Sequence, residues 1–390
     1  IAIGTAITGV YTSGVYVTPI IGGIIADRWL GRTATVTIGA LLMVLGHFLM
    51  AFEVSFVAAI LCLFVGVGCF KGNIASQVGE LYPPGDLRRA SAYQVYMLGI
   101  QIAVIFAPTV CGLLAAQAWH WGFGCAGVGM LIGLTVYLSG RKYLPAEPKR
   151  NAQAKAERPK LSGRDWFTVI VLIALLPALA LAAVGNQQIF NAYEVWGDAH
   201  YNLTLFGFAL PVTTLISMDA IISTAMMFGV IAFWEWYGKH RKEPDEIVKI
   251  LIGAAISACA PLFLAAGSAA EAATGQKVSL LWGIGFHLVN DIGFSMVFPV
   301  GLALFSRASP KGLGGLVIGI YYLHLFMANL GTGVLGGMLE TMSSTAFWLL
   351  HSGLVALGGA IILVFAVLFH RLLAPGENES GAVKAATQAS

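Results

Sequence analysis

Residues 55–79 read SFVAAILCLFVGVGCFKGNIASQVG, an apolar stretch whose only charged residue is Lys71. As an α-helix this stretch would be about 37 Å long, which exceeds the roughly 30 Å hydrocarbon core of a bilayer. A charge near the bilayer centre costs about 2.5–3.5 kcal/mol on insertion scales. The stretch therefore predicts a membrane-spanning helix, and the cost of its single charge predicts a functional role for Lys71.

The rest of the chain repeats this apolar pattern. Of its 390 residues, 58% are hydrophobic and only 11% are charged, whereas soluble domains carry about 25% charged residues. Together with 55–79, the stretches long enough to cross a bilayer are 2–25, 34–53, 91–116, 121–139, 166–190, 206–234, 247–267, 278–304, 313–338 and 346–370. We therefore predict an all-α membrane protein with eleven spans. The low net charge of +3 argues against nucleic-acid binding.

Basic residues are distributed unevenly among the loops between these spans. Loops at one end hold twenty of the 22 Lys and Arg residues, and the positive-inside rule places that end in the cytoplasm. The opposite end holds only Lys277, and Lys71 lies within a span. The pattern predicts a multi-pass protein of the cytoplasmic membrane with a cytoplasmic C-terminus. It also places Ile1 outside, so that a first span is expected to be missing.

The longest basic loop divides the predicted spans into two groups. We predict an N-terminal helical half over 1–139, a cytoplasmic linker over 140–165, a C-terminal helical half over 166–372 and a disordered tail over 373–390. With one missing helix restored, this layout resembles the major facilitator superfamily, whose two six-helix halves enclose a substrate site near the membrane midplane.

Several motifs sharpen this resemblance to one branch of the superfamily. They are YVTPIIGGIIADRWLGR (16–32), GVGCFKGNIASQVGELY (66–82), YQVYMLGIQIAVIFAPTVCG (93–112), WHWGFG (119–124) and FPVGLALFSRASPKGLGGLVIGIYYL (298–323). With them the chain resembles the proton-dependent oligopeptide transporters (the POT family). The resemblance implies a monomeric symporter, not an enzyme, which imports di- and tripeptides with protons and without another cofactor. The alternatives are transport of nitrate or an amino-acid-like solute, and a transport-inactive membrane sensor.

The resemblance also suggests which residues contact the substrate. Lys71 matches the family lysine of the fourth helix and is expected to bind a peptide carboxylate; the alternative is a lysine that extends to the cytoplasmic interface. Residues at or near other pocket positions of the family are expected to contribute to the substrate site: Tyr16, Gln101, Asp219 and Tyr321. Asn329 is expected to supply a further neutral contact.

The proton-coupling residues of the family are only partly matched. Its first-helix motif is absent, and Gly293 is followed by Phe294 where the tenth helix has glutamate. We therefore expect proton coupling to use Asp291, with His287 on the same helix face four residues earlier, together with Asp219 and Lys71.

Structural roles are the alternatives for these polar residues. Asp291 could simply bond Asn290, and His287 could be a core histidine. Asp219 could bond the hydroxyl of Ser217 or Ser223 as a packing residue.

Two further features complete the sequence pattern. Asp27, Arg28 and Arg32 follow the first predicted span and are expected to form a cytoplasmic-side latch between helix ends. The five cysteines lie in apolar stretches without CxxC spacing, so we expect them to be core residues rather than metal ligands.

Overall fold

The structure is a computed structural model and is described for residues 1–81, 88–144, 161–205, 207–310 and 314–373. Within these ranges the chain is almost entirely helical, as predicted. The helices are α1 Ala2–Ile25, α2 Arg32–Met50, α3 Phe56–Glu80, α4 Arg88–Ala115, α5 Trp119–Gly140, α6 Gly163–Gln187, α7 Ala192–His200, α8 Thr214–His240, α9 Glu246–Thr274, α10 Leu280–Ala308, α11 Gly314–Gly336 and α12 Ser344–Leu373. In this described part, 11 helices are long and apolar enough to cross a membrane, in agreement with the predicted eleven spans.

The segment between α6 and α8 differs from the prediction. The span expected at 206–234 begins only at Thr214, because the apolar residues before it form a hairpin of Thr204–Leu205 with Phe208–Ala209. Gly207 has φ +82° in its turn, a conformation that favours glycine. The short helix α7 also precedes the hairpin and was not predicted. Hydropathy alone does not distinguish an apolar hairpin from the start of a span.

The described residues form two compact units. The N-terminal unit contains the described residues of 7–154 together with 203–221, and the C-terminal unit contains 1–6, the described residues of 155–202 and those from 222 onward. Most of the predicted linker and tail, 145–160 and 374–390, lies outside the described residues.

The N-terminal unit is built on close contacts between helix backbones. A Cβ atom added to Gly22 of α1 would lie 2.0 Å from the carbonyl oxygen of Gly68 on α3. On the other side of α3, one added to Gly66 would lie 2.8 Å from the carbonyl oxygen of Gly39 on α2. Only glycine allows such approaches, and small residues are the usual device for close packing of membrane helices.

The C-terminal unit is built around α6. In the apolar segment of α6 67% of the residues are buried, against 33% or less in each of α1 to α5. Its leucines Leu172, Leu175 and Leu179 are almost fully buried and belong to a core shared with α9, α10, α11 and α12. The start of α6 is fixed by Ser162 and Asp165, which cap each other's backbone N–H groups.

Candidate functional site

Lys71 and Tyr16, two residues expected to bind substrate, lie together in the N-terminal unit. The Nζ atom of Lys71 lies 4.8 Å from the centroid of the Tyr16 ring, which is a cation–π arrangement. The Lys71 side chain is exposed and the tyrosine is half-buried. The pair therefore presents a positive charge that an anionic group can reach.

Packing between α1 and α3 fixes the backbone on which this pair lies. Asn73 of α3 is buried, and its Nδ2 donates to the carbonyl oxygens of Gly22 on α1, at 3.1 Å, and of Cys69, at 2.9 Å. Together with the Gly22–Gly68 contact, this hydrogen bond holds the two helices in one register. The lysine head group remains free to exchange partners while its backbone is held.

Gln77 is a buried residue of α3 for which no role was predicted. Its Nε2 donates to Thr33 Oγ1 of α2 at 3.1 Å, and its Oε1 accepts from the Tyr137 hydroxyl of α5 at 2.9 Å. One side chain thereby joins three helices of the N-terminal unit. Gln101, on α4 of the same unit, is half-buried, and its role in binding remains a prediction.

Three amides of the C-terminal unit bond to one another. Asn329 Nδ2 donates to Gln187 Oε1 and to the Leu325 carbonyl, both at 2.8 Å. Gln187 Nε2 in turn donates to Asn186 Oδ1 at 3.0 Å. Asn329 and Gln187 are buried, so the predicted substrate contact Asn329 lies in a hydrogen-bonded amide chain that links α6 to α11.

The structure argues against substrate contact by Tyr321 in this conformation. Its side chain is fully buried in the core of the C-terminal unit, and its hydroxyl donates to the Phe298 carbonyl at 2.6 Å. The ring also packs against Phe305, with centroids 4.9 Å apart. A tyrosine within a span can satisfy its hydroxyl on a neighbouring backbone carbonyl, and the role of Tyr321 in substrate binding remains a prediction.

Asp291 and His287 both lie inside the C-terminal unit on α10. Asp291 Oδ1 accepts from Asn290 Nδ2 at 3.0 Å, which is the contact considered as its structural alternative. His287 is fully buried, and its Nε2 lies 3.0 Å from the hydroxyl of Tyr193. That hydroxyl lies 3.3 Å from the hydroxyl of Tyr201.

Neither tyrosine was predicted. Tyr193 belongs to α7, and Tyr201 follows it directly. This segment lacks a hydropathy signal, and the partner of Tyr193 is 94 residues away along the chain.

Asp219 is buried but lies nearer a helix end than expected. Because α8 begins at Thr214, Asp219 is in the second turn of the helix rather than at the middle of a span. The hydroxyl of Ser217, a partner considered for it, lies 2.8 Å from Thr109 Oγ1 on α4. Its role in binding or in proton coupling remains a prediction.

Phe294 occupies the position at which the resembled family has glutamate. Its ring stacks on Phe298, with centroids 5.6 Å apart and planes 6° from parallel, and it packs against the core cluster. The position is therefore apolar in this chain, which is consistent with a carboxylate placed elsewhere on α10.

The predicted latch lies at the junction of α1 and α2. Arg28 is exposed in a π-helical turn, Ala26–Leu30, and Gly31 with φ +80° leads into α2, which begins at Arg32. The side chain of Asp27 lies outside the described part of the structure, so the latch itself remains a prediction.

Glu194 is a further acid that sequence reasoning left without a role. It lies in the first turn of α7, outside the membrane-spanning helices. Burial raises its pKa from 4.5 to about 7, because the protein around it solvates the ionised carboxylate less well than water does.

Comparisons with known proteins agree with the fold and with the predicted resemblance. A family model described as Major Facilitator Superfamily matches residues 1–324. A peptide transporter of Yersinia enterocolitica is 24% identical, over 92% of this chain and 85% of its own length. A di-/tripeptide transporter of Lactococcus lactis is 27% identical, over 92% of this chain and 71% of its own length.

Solved structures give the same result for the fold. A peptide transporter POT in complex with sulfate superposes with a TM-score of 0.84 at 22% identity, covering 94% of this chain and 86% of its own. A POT family transporter in complex with 5-aminolevulinic acid gives 0.78 at 20% identity, covering 93% and 87%. The predicted resemblance to POT family transporters is confirmed.

Proposed function

Because the chain belongs to the Major Facilitator Superfamily, we propose that it is a proton-coupled symporter that imports di- and tripeptides by alternating access. The observation that carries this proposal is the exposed Lys71 beside Tyr16, in a chain whose relatives include peptide and di-/tripeptide transporters. The superfamily and these relatives are transporters and not enzymes, as the sequence predicted.

In the proposed cycle Lys71 binds the peptide carboxylate. The ammonium leaves the face of the Tyr16 ring and forms a charge-assisted hydrogen bond to the incoming carboxylate, which is a stronger interaction than the cation–π contact. The tyrosine and Gln101 contribute neutral contacts. The positive charge is thereby neutralised inside the membrane, where an unpaired charge is costly.

The proton is held on a buried acid of the same protein. Asp291 and Asp219 are the buried carboxylates among the described residues, and one of them takes the proton while the other faces the peptide amine. Protonation removes a negative charge and so changes which state of the transporter is favoured. Because breaking a buried ion pair costs about 3–5 kcal/mol, proton and peptide must arrive together.

The proposal includes the location and the orientation of the chain. With the basic loops inside, the protein lies in the cytoplasmic membrane with its C-terminus in the cytoplasm. Protons then enter from outside together with the peptide, and no cofactor other than the proton is needed.

A second candidate is import of an amino-acid-like solute. One related structure contains 5-aminolevulinic acid, and the apolar Phe294 replaces the glutamate that the peptide-transporting pattern has at this position. A solute with a carboxylate but a differently placed amine would still use Lys71.

Uptake into proteoliposomes tests the proposal and separates these candidates. The purified protein is reconstituted, an inward proton gradient is imposed, and accumulation of labelled dialanine is measured with unlabelled dialanine, 5-aminolevulinic acid or nitrate as competitor. We expect gradient-dependent accumulation that dialanine competes best. Accumulation of 5-aminolevulinic acid without dialanine uptake would support the second candidate, and uptake of neither solute would contradict symport of this class.

A further inference from the structure

Two tyrosine hydroxyls and an imidazole form a continuous chain in the C-terminal unit. The hydroxyl of Tyr201 lies 3.3 Å from that of Tyr193, which lies 3.0 Å from His287 Nε2. All three side chains are at most 1% exposed. Asp291 lies one helical turn further along α10 on the same face.

The chain runs from the end of a membrane helix toward its interior. Tyr201 lies outside the spanning helices, and the backbone around it pairs with Val278: Val278 N–H donates to the His200 carbonyl at 2.9 Å, and Asn202 N–H donates to the Val278 carbonyl at 3.0 Å. The helix α10 begins two residues later, at Leu280. Asp291 is then about 17 Å along the axis of α10.

The backbone of α10 is shaped to hold both hydroxyls. A Cβ atom added to Gly283 would lie 2.6 Å from the Tyr201 hydroxyl oxygen and 3.1 Å from that of Tyr193. Aromatic rings surround the pair: Trp196 lies 4.9 Å from the Tyr201 ring, and Phe286 lies 5.3 Å from the Tyr193 ring, between centroids. The two hydroxyls and the imidazole are therefore close polar neighbours of one another.

We propose that this chain conducts the coupling proton from outside the membrane to Asp291, an inference that rests on the proposed symport. A proton arriving at the Tyr201 oxygen releases the tyrosine's own proton to Tyr193, and Tyr193 passes its proton to His287 Nε2. The imidazolium gives its Nδ1 proton to the Asp291 carboxylate and returns to neutrality. Rotation of the two hydroxyls and exchange of the imidazole back to its Nδ1–H tautomer then reset the chain.

The side chains suit this transfer chemically. Burial raises the pKa of Tyr201, so its hydroxyl stays protonated and passes a proton only as it receives another. A partly exposed pair, His200 with Glu271 at 2.7 Å, lies next to Tyr201 and can collect protons from water. Trp196 contacts both His200 and Tyr201, with ring centroids 5.4 and 4.9 Å away.

Other titratable groups of the C-terminal unit that pack around α10 have partners of their own. His351 of α12 bonds the Phe347 carbonyl through Nδ1 at 2.8 Å, and α6 contributes amides rather than acids at this level. On α9 the acid nearest this end is Glu271, which pairs with His200. His324 of α11 is fully buried, and its Nδ1 bonds the Tyr321 carbonyl.

The test compares proton-driven uptake with counterflow, in which labelled substrate exchanges for unlabelled substrate without a net proton flux. Tyr193→Phe and Tyr201→Phe each remove one hydroxyl and keep the ring. We expect at least about a tenfold loss of proton-driven accumulation, the equivalent of about 1.4 kcal/mol in a rate-limiting step, with counterflow unchanged within about twofold. Tyr137→Phe, which removes a hydrogen-bonded hydroxyl of the N-terminal unit, is the control.

Gly283→Ala provides a second test that leaves both tyrosines in place. The added methyl group would separate the hydroxyls, and the same selective loss is expected; Gly353→Ala of α12, whose added Cβ meets no described atom within 4 Å, is its control. Unchanged proton-driven uptake in both tyrosine variants would overturn the proposal. Equal loss of counterflow would also overturn it, because the hydroxyls would then serve folding or binding.

Failure of the proposed function is distinguishable from failure of this path. If the unsubstituted protein accumulates another solute with protons, the same variants are assayed with that solute, and the expected selectivity is unchanged. If the variants lose accumulation of that solute selectively, the path stands although the peptide assignment does not.

Discussion

The two units of the molecule differ in the exposure and the hydrogen bonding of their polar side chains. In the N-terminal unit an exposed lysine lies over an aromatic ring, on helices held by glycine contacts and by Asn73. In the C-terminal unit several polar side chains are buried and hydrogen-bonded to one another, as in the chain from Asn329 to Gln187. The first arrangement leaves a charge able to change partners. The second holds buried neutral groups within hydrogen-bonding distance of one another.

The largest expected effect is at the exposed cation of the N-terminal unit. Lys71→Ala removes the proposed carboxylate ligand, and we expect proton-driven uptake to fall about 100-fold or more, in line with about 3–5 kcal/mol for breaking such a pair. Uptake into proteoliposomes at matched protein content measures it. Lys277→Ala, which removes an exposed lysine near the start of α10, should retain near-normal uptake. If Lys71→Ala keeps more than half of the normal uptake rate, Lys71 is not part of the substrate site.

The next effect concerns the glycine contacts that support this cation. Gly22→Ala places a methyl group 2.0 Å from the Gly68 carbonyl oxygen, and we expect a loss of about 1–3 kcal/mol of stability from overpacking. Thermal unfolding in detergent measures it. Gly23→Ala is a matched control, because a Cβ there meets no described atom within 4 Å. If both variants unfold at the same temperature, the α1–α3 contact does not limit stability.

The amide chain of the C-terminal unit gives a smaller effect with a distinctive pattern. Gln187→Leu or Asn329→Leu leaves its partner buried without its hydrogen bond, at a cost of about 1–3 kcal/mol. We expect the double variant to be less destabilised than the sum of the two single variants, because both polar groups are then gone. A double-mutant cycle of thermal unfolding measures this coupling. Strictly additive losses would show that the two amides do not interact energetically.

The smallest effect is expected at Glu194, where the pKa is raised to about 7. Between the unfolded value near 4.5 and about pH 7, the folded protein holds a proton that the unfolded chain has lost, so the free energy of unfolding decreases as the pH rises. We expect a decrease of about 1–2 kcal/mol, measured as a lower melting temperature at pH 8 than at pH 5. Glu194→Gln should reduce this difference, whereas Asp198→Asn, at an exposed acid of the same helix, should not. An unchanged pH profile in Glu194→Gln would assign the pH dependence to other groups.

The sequence predicted the spans well because membrane thickness imposes a length on apolar helices. It failed at 206–213 and at α7, where short apolar stretches form a hairpin and a short helix instead. Lys71 was identifiable because a lone charge in a span needs a reason, and Tyr16 followed from family resemblance. Tyr193 could not be identified, because its partner His287 is brought to it only by tertiary packing.

Tyr321 is a residue that the sequence singled out but whose surroundings it could not predict. Its position suggested a pocket residue, but its hydroxyl bonds a backbone carbonyl inside the core, and sequence alone contains no information about that contact. Asp219 lies nearer the start of its helix than the predicted span 206–234 implies, because the start of α8 depends on where the preceding hairpin ends.

The close approach at Gly283 has a consequence for comparing relatives of this chain. Since a methyl group there would overlap the Tyr201 hydroxyl, we expect glycine at position 283 wherever both tyrosines are present. A homologue with alanine or a larger residue at the equivalent of position 283 should lack at least one of the two tyrosines, and it should take its protons by a different route.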